Sequence, residues 1–194
     1  VSIDEYTLLK FALRRRADYI VVGEVRGREA RLLIQASRLG HGTLSTFHAE
    51  DAETAIERLS APPISIPRNL LGSIWCMVVM DPGGASGTRR IKAIYELDQN
   101  ARKLMPIVTL NNESDTFEPQ DLSSIAKNSF RLTHVLDEDI VIDELSHRAL
   151  FLSRLVSRGV FSLDRLSKEL QRFYIMEEGE LLAQYVEETE AVKH

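Results

Sequence analysis

The chain has 194 residues, 44% of them hydrophobic and 27% charged, the balance of a soluble globular protein with a substantial core. Twenty-four lysines and arginines face 29 aspartates and glutamates, a formal net charge of -5. That balance argues against a dominant nucleic-acid surface and leaves room only for local basic patches, at Arg14-Arg15-Arg16 or Arg89-Arg90. The single cysteine, Cys76, excludes an intrachain disulfide and a multi-cysteine zinc site, and its apolar neighbourhood (Ile74 to Met80) predicts a packed small hydrophobe. So few cysteines suit a reducing, cytoplasmic compartment, and no apolar run approaches the roughly 20 residues that span a bilayer.

In chain order, Ser2-Ile-Asp-Glu5 reads as a capping box opening a helix whose inner face is Leu8, Leu9, Ala12 and Leu13. Tyr19 to Val22 is a short β-branched run between Asp18 and Gly23, which predicts a fully buried parallel strand. A helix is expected over residues 27–39, facing inward through Ala30, Leu33 or Ile34, and Ala36 or Ser37, with Gly40 as its stop. Thr43 to Phe47 is the next strand and Asp51 to Leu59 the next helix. This alternation predicts right-handed βαβ units and a parallel sheet.

Pro62-Pro63 and Pro67 enforce an extended connector, because the residue before proline avoids the helical region. Trp75 to Met80 and Arg90 to Leu97 are strand-like, with Gly83-Gly84 and Gly87 between them suiting a hairpin or loose loop. Residues 99–120 read as a connector around a short strand at Leu104 to Leu110. From Asp121 the pattern turns helical. Val141, Leu145, Ala149, Leu152 and Val156 form the expected packing stripe of one helix, Gly159 ends it, and Ser162 opens another with Leu163, Leu166, Leu170 and Phe173 inward. A last amphipathic segment is expected over Gly179 to Val186. Three regions follow: an α/β core over 1–98, the connector over 99–120 and a helical region over 121–194.

Chemistry concentrates where the two parallel strands end. Tyr19-Ile-Val-Val-Gly-Glu24-Val-Arg26-Gly27 and Gly40-His41-Gly-Thr-Leu-Ser-Thr46-Phe47-His48-Ala49 place a carboxylate, an arginine and two histidines within about 25 residues. Open α/β sheets bind ligands at such carboxyl ends. Glu24 can polarise an attacking water or hold Mg²⁺ through water; the bland alternative is a solvated turn residue paired to Arg26 or Arg28. Arg26 and Arg14 offer bidentate forks to phosphate oxygens, although helix-terminal cations such as Arg14 also complement the macrodipole. His48 is better placed for a ligand than His41, which precedes the strand, and the spacing disfavours a metal shared by the two. Thr46 serves either the ligand or only the strand.

No Gly-x-x-x-x-Gly-Lys-Ser/Thr phosphate loop is present, since none of the six lysines follows a glycine. The chain opens at Val1 rather than methionine, and it is expected to be the C-terminal part of a longer protein cut downstream of such a loop.

The two motifs together resemble the ATPase superfamily of type II and type IV secretion and type IV pilus assembly. Pro62-Pro-Ile-Ser-Ile-Pro67-Arg68 is similar to its archaeal branch, which drives archaella and adhesive pili. The resemblance covers residues 1–98 strongly and the helical tail more loosely. It implies the C-terminal part of a RecA-like P-loop NTPase sheet, Glu24 as the acid of a Walker B strand and His48 in the Thr-x-His position of a histidine box. It further implies Arg14, Arg26, His41 and Thr46 as nucleotide contacts, Arg14 standing in a Leu-Arg-x-x-x-Asp lead-in. ATP with Mg²⁺ would be the ligand. The implied assembly is a hexamer at the inner face of the membrane, moving filament or secreted subunits through a membrane platform protein, with no nucleic acid. The missing phosphate loop, acidic box and N-terminal domain imply negligible turnover by these 194 residues alone. Two other readings stay open: a non-catalytic assembly subunit, and a DNA-translocating ATPase of the same fold.

Overall fold

The computed structural model describes residues 4–83, 89–99 and 103–175, divided into two compact units, 1–142 and 143–194. The first unit opens with α1 (Glu5–Arg14), capped by Asp4, whose carboxylate accepts from the Thr7 backbone N–H at 2.9 Å and from its hydroxyl at 2.6 Å. These bonds, joined by the Arg28 side chain, hold the Asp4 carboxyl down at about 2. Ser2 of the expected capping box lies outside the described residues. Leu9 is buried and Ala12 and Leu13 pack beside it, while Leu8 is exposed.

β1 (Tyr19–Val22) follows, then α2 (Glu29–Arg38), β2 (Gly42–Ser45) and α3 (Ala52–Ser60). β1 and β2 pair in parallel, Tyr19 opposite Gly42 and Val22 opposite Ser45, which is the expected βαβ unit. α2 buries Ala30, Leu32, Leu33 and Ala36 and stops at Gly40, whose φ of 95° suits a residue without a Cβ. The expected full burial of β1 is corrected: Ile20 is buried, but Tyr19 and Val21 are exposed, as is Leu44 of β2. Alternation sends these side chains to the face opposite the core, and among the described residues no element covers that face.

The proline-rich connector leads into α4 (Arg68–Leu71) and contributes Ile64 and Ile66 to the core. A four-stranded antiparallel sheet then runs in the order β3 (Met77–Asp81), β4 (Arg90–Leu97), β5 (Leu104–Asn111), β6 (Thr116–Glu118). Gly84 and Gly87, between β3 and β4, lie outside the described residues. The strand expected at Leu104 to Leu110 is β5, which pairs with β4 over Ala93↔Thr109 to Leu97↔Leu104, and β6 adds a further strand beside it. The expected parallel sheet is confined to β1–β2, so the fold is mixed α/β. Cys76, expected to pack, is exposed beside the edge strand β3.

α5 (Leu122–Asn128) and α6 (Phe130–Val135) are locked to this sheet by a buried polar knot. The Glu96 carboxylate accepts from Ser129 Oγ at 2.5 Å and from the Arg131 backbone N–H at 3.2 Å. The Arg131 guanidinium donates to the carbonyls of Gly72, Ile74 and Leu97 at 2.7–3.1 Å. Such groups are costly to bury without partners, so the knot specifies where the helices dock.

α7 (Glu138–Ser157) begins in the first unit, where Val141 is buried. The second unit contains the rest of α7 and α8 (Leu163–Ile175), with a core of Phe151, Leu155 and Val160 against Leu166, Leu170 and Phe173. The expected stripe on α7 is corrected by a small rotation: Phe151 and Leu155 pack, while Leu152 and Val156 are exposed. Helical Leu163 is likewise exposed. Gly159, at φ 64°, closes α7, and the Val160 N–H returns to the Leu155 carbonyl. The segment Gly179 to Val186 lies outside the described residues.

Among the described glycines, Gly72 makes the tightest approach, because a Cβ there would sit 2.0 Å from the Gln99 carbonyl oxygen. Gly72→Ala should therefore destabilise by more than about 4 kcal/mol, or leave little folded protein, in chemical denaturation followed by circular dichroism.

Candidate functional site

β1 and β2 run side by side in register, so their chains leave the sheet together. Past the last strand pair, the Val25 N–H donates to the Thr46 carbonyl at 3.0 Å and the Thr46 hydroxyl to the Gly23 carbonyl at 2.6 Å. Buried Val25 anchors this extension in the core. The side chains on either side of it, Glu24 and His48, are thereby brought together: His48 Nε2 lies 3.5 Å from Glu24 Oε1. The other carboxylate oxygen of Glu24 accepts from Arg26 Nη2 at 2.5 Å.

Exposure differs across the cluster. The Glu24 side chain is 24% exposed, against 77% for Arg26 and 82% for His48. The carboxylate is thus sheltered while its partners reach into solvent. The Arg26 hydrogen bond, helped by the Arg26 and His48 charges, holds the Glu24 carboxyl below the ordinary glutamate value against the opposing effect of burial. The Arg26 guanidinium is raised by the same bond. An ionised carboxylate held this way can orient a water molecule or bind a hydrated cation.

The remaining expected site residues lie elsewhere. Arg14, in the last turn of α1, is exposed. His41 precedes β2, and its Nδ1 is 2.6 Å from the Ala17 carbonyl. Both belong to the edge where β1 and β2 begin, opposite the edge carrying Glu24 and His48. Thr46 stands within the cluster, its hydroxyl proton directed to Gly23. Of the six residues, the structure gathers Glu24, Arg26, Thr46 and His48 and does not bring Arg14 or His41 to them.

Two supporting residues escaped the sequence reading. Glu29, in the first turn of α2, accepts from the Arg26 and Gly27 backbone N–H groups at 2.5 and 2.6 Å. Arg58 of α3 donates to the His48 carbonyl and covers the Phe47 ring at 5.1 Å. A glutamate in a first helical turn reads only as a dipole partner, and Arg58 sits one helix away from the motif it serves. No spacing rule links either to the cluster.

Among the described residues no group of three or more His, Cys, Asp or Glu side chains is placed to hold a metal ion. A lone carboxylate suits Mg²⁺, which keeps several waters and needs only one or two protein carboxylates besides substrate phosphates. Among the described residues, no helix is long and apolar enough to cross a membrane.

Residues 1–79 match the model of a family described as type II/IV secretion system protein. Uncharacterized protein MJ1287 of Methanocaldococcus jannaschii is 40% identical over 155 residues, covering 76% of this chain and 57% of that protein. MJ0900 of the same organism is 30% identical over 184 residues, covering 87% of this chain and 32% of that protein. The type II secretion system ATPase E of Vibrio cholerae is 35% identical over 100 residues, 50% of this chain and 19% of that protein. The chain thus spans little more than half, or less, of the length of these relatives.

Removing the Arg26 donor tests the electrostatics. In Arg26→Ala the Glu24 carboxyl should titrate at higher pH, back toward the ordinary 4.5, by NMR of its carboxyl carbon. Because the folded value is lowered, the pair's contribution is full at neutral pH and is lost as pH falls through that lowered value. Wild-type stability should therefore fall more steeply with acid below pH 4.5 than that of the variant.

Proposed function

This chain belongs to the type II/IV secretion ATPase superfamily, and from that premise we propose that it works as the C-terminal segment of a motor ATPase driving protein secretion or assembly of a type IV pilus- or archaellum-like filament. The observation that carries the reading is the cluster itself. A sheltered, ionised Glu24 stands at the carboxyl end of a parallel strand, with Arg26 on one oxygen and His48 on the other. Its fold would be the RecA-like core of such motors.

Glu24 orients the attacking water and withdraws its proton as the γ-phosphate is transferred. Its low basicity suits a water-positioning role more than that of a strong base, so most catalysis comes from alignment and charge stabilisation. Arg26 is exposed enough to swing from Glu24 to a phosphate oxygen, meeting developing charge with a fork that never deprotonates. His48, 3.5 Å from Glu24, can donate to the nucleotide and pass the loss of the γ-phosphate to β2. Mg²⁺, held by Glu24 through water, would neutralise charge on the phosphate oxygens. Thr46 holds the two motif strands together from beside the site. Arg14 and His41 stand at the other edge of the strand pair, so any nucleotide they touch would be one that bridges to a neighbouring subunit of a hexamer.

The motor would sit in the cytoplasm against the inner face of the membrane, where a platform protein receives its movement. No nucleic acid is expected as a partner. A non-catalytic assembly subunit is the reading this must beat.

ATP turnover and binding by the full-length protein, wild type against Glu24→Gln, separate them. The expected result is turnover reduced about 10²–10⁴-fold with ATP binding retained. Equal turnover, or no ATP binding by either protein, would favour the assembly subunit.

A further inference from the structure

Glu29 does more than complement a helix dipole. Among the described residues it is one of the few buried charged residues, at 8% exposure. Burial pushes its carboxyl up, yet the backbone N–H groups of Arg26, Glu29 and Gly27, with the Arg28 charge, outweigh that and keep it lowered. One oxygen takes both the Arg26 and the Gly27 N–H, at 2.5 and 2.6 Å. The turn closes tightly on it: a Cβ at position 27 would come within 3.2 Å of Glu29 Oε2.

The turn that carries Arg26 is therefore built around a fixed buried anion. This matters because the Arg26–Glu24 pair cannot hold itself. With the Arg26 side chain 77% exposed, such a pair is screened by solvent and holds a long side chain in place only weakly. Hydrogen bonds from backbone N–H groups to a desolvated carboxylate are stronger and nearly unscreened. The persistent constraint lies in the main chain, and the exposed pair follows from it.

We propose that Glu29 is the positioning residue of the Glu24 site, its buried carboxylate pinning the Arg26 backbone so that the guanidinium meets Glu24. The inference rests on reading Glu24 as the acid of that site. It assigns Glu29 no contact with substrate; its effect passes through Arg26 and, by the Val25–Thr46 bond, to the segment bearing His48.

The test uses Glu29→Ala and Glu29→Gln in the full-length protein, since the Gln side-chain carbonyl can still accept both N–H groups. In Glu29→Ala, kcat for ATP should fall about 10- to 100-fold with KM little changed, and Glu29→Gln should recover most of it. Backbone NMR should show shifts at Arg26 and Gly27 that spread to Glu24, Thr46 and His48. Wild-type kcat in a folded Glu29→Ala, or shifts confined to 26–29, would overturn the proposal and leave Glu29 a local helix anchor. Absence of turnover in the wild type would instead sink the ATPase reading, and the spread of the NMR shifts would then decide the role of Glu29 alone. Should Glu29→Ala fail to fold, Glu29→Asp, which withdraws the carboxylate by one methylene, is read in the same way.

Discussion

The parallel register of β1 and β2 is the constraint on which the rest depends. Tyr19 opposite Gly42 and Val22 opposite Ser45 make the two strands end level. Glu24 and His48 are 24 residues apart in sequence, joined by a helix, yet level strand ends put them 3.5 Å apart. A slip of one residue would turn Val25 out of the core and carry Glu24 to the other face. The Val25–Thr46 and Thr46–Gly23 bonds extend the register beyond the last strand pair, where the chain would otherwise diverge.

Around this register the strong interactions are made to backbone and the weak ones between exposed side chains. Glu29 holds the Arg26 and Gly27 amides, Arg58 the His48 carbonyl and Asp51 the Thr54 N–H that starts α3. The side chains left to face solvent, Arg26 and His48, make exposed contacts that reorganise at little cost. That division suits a site whose charged groups must change partners when a ligand arrives. It also explains why the pairing of Glu24 with Arg26, which a solvated turn would show as well, does not alone mark a site. The sheltered carboxylate approached also by His48, from the segment that follows β2, is what makes this one a candidate.

The same physics explains the departures from expectation. In α7 apolar residues occur on nearly every side, so spacing alone admits more than one stripe. The partner helix α8 chooses Phe151 and Leu155 over Leu152 and Val156 because aromatic Phe173 needs a broad neighbour, found at 4.4 Å in Phe151. Residues 99–120 read as a connector because turn-forming Asn, Ser, Asp and Pro residues surround a single short apolar run. Only pairing with β4 makes that run a strand in a larger sheet. The Glu96–Ser129–Arg131 knot, which sets helices against that sheet, joins residues more than 30 positions apart and has no local signature.

The sequence by itself determined the βαβ unit, the helix stops at Gly40 and Gly159, the helical character of the described residues after Asp121, and the two runs in which the polar residues concentrate. These are local: strand propensity, capping and glycine conformation act within a few residues, and the motifs lie in unbroken runs. What only the tertiary structure decided is which of those residues meet. It joined Glu24, Arg26, Thr46 and His48, left Arg14 and His41 at the opposite strand edge, and enlisted Glu29 and Arg58. Proximity across a sheet depends on register and packing, which are sums over many distant contacts, and no single stretch of sequence contains that sum.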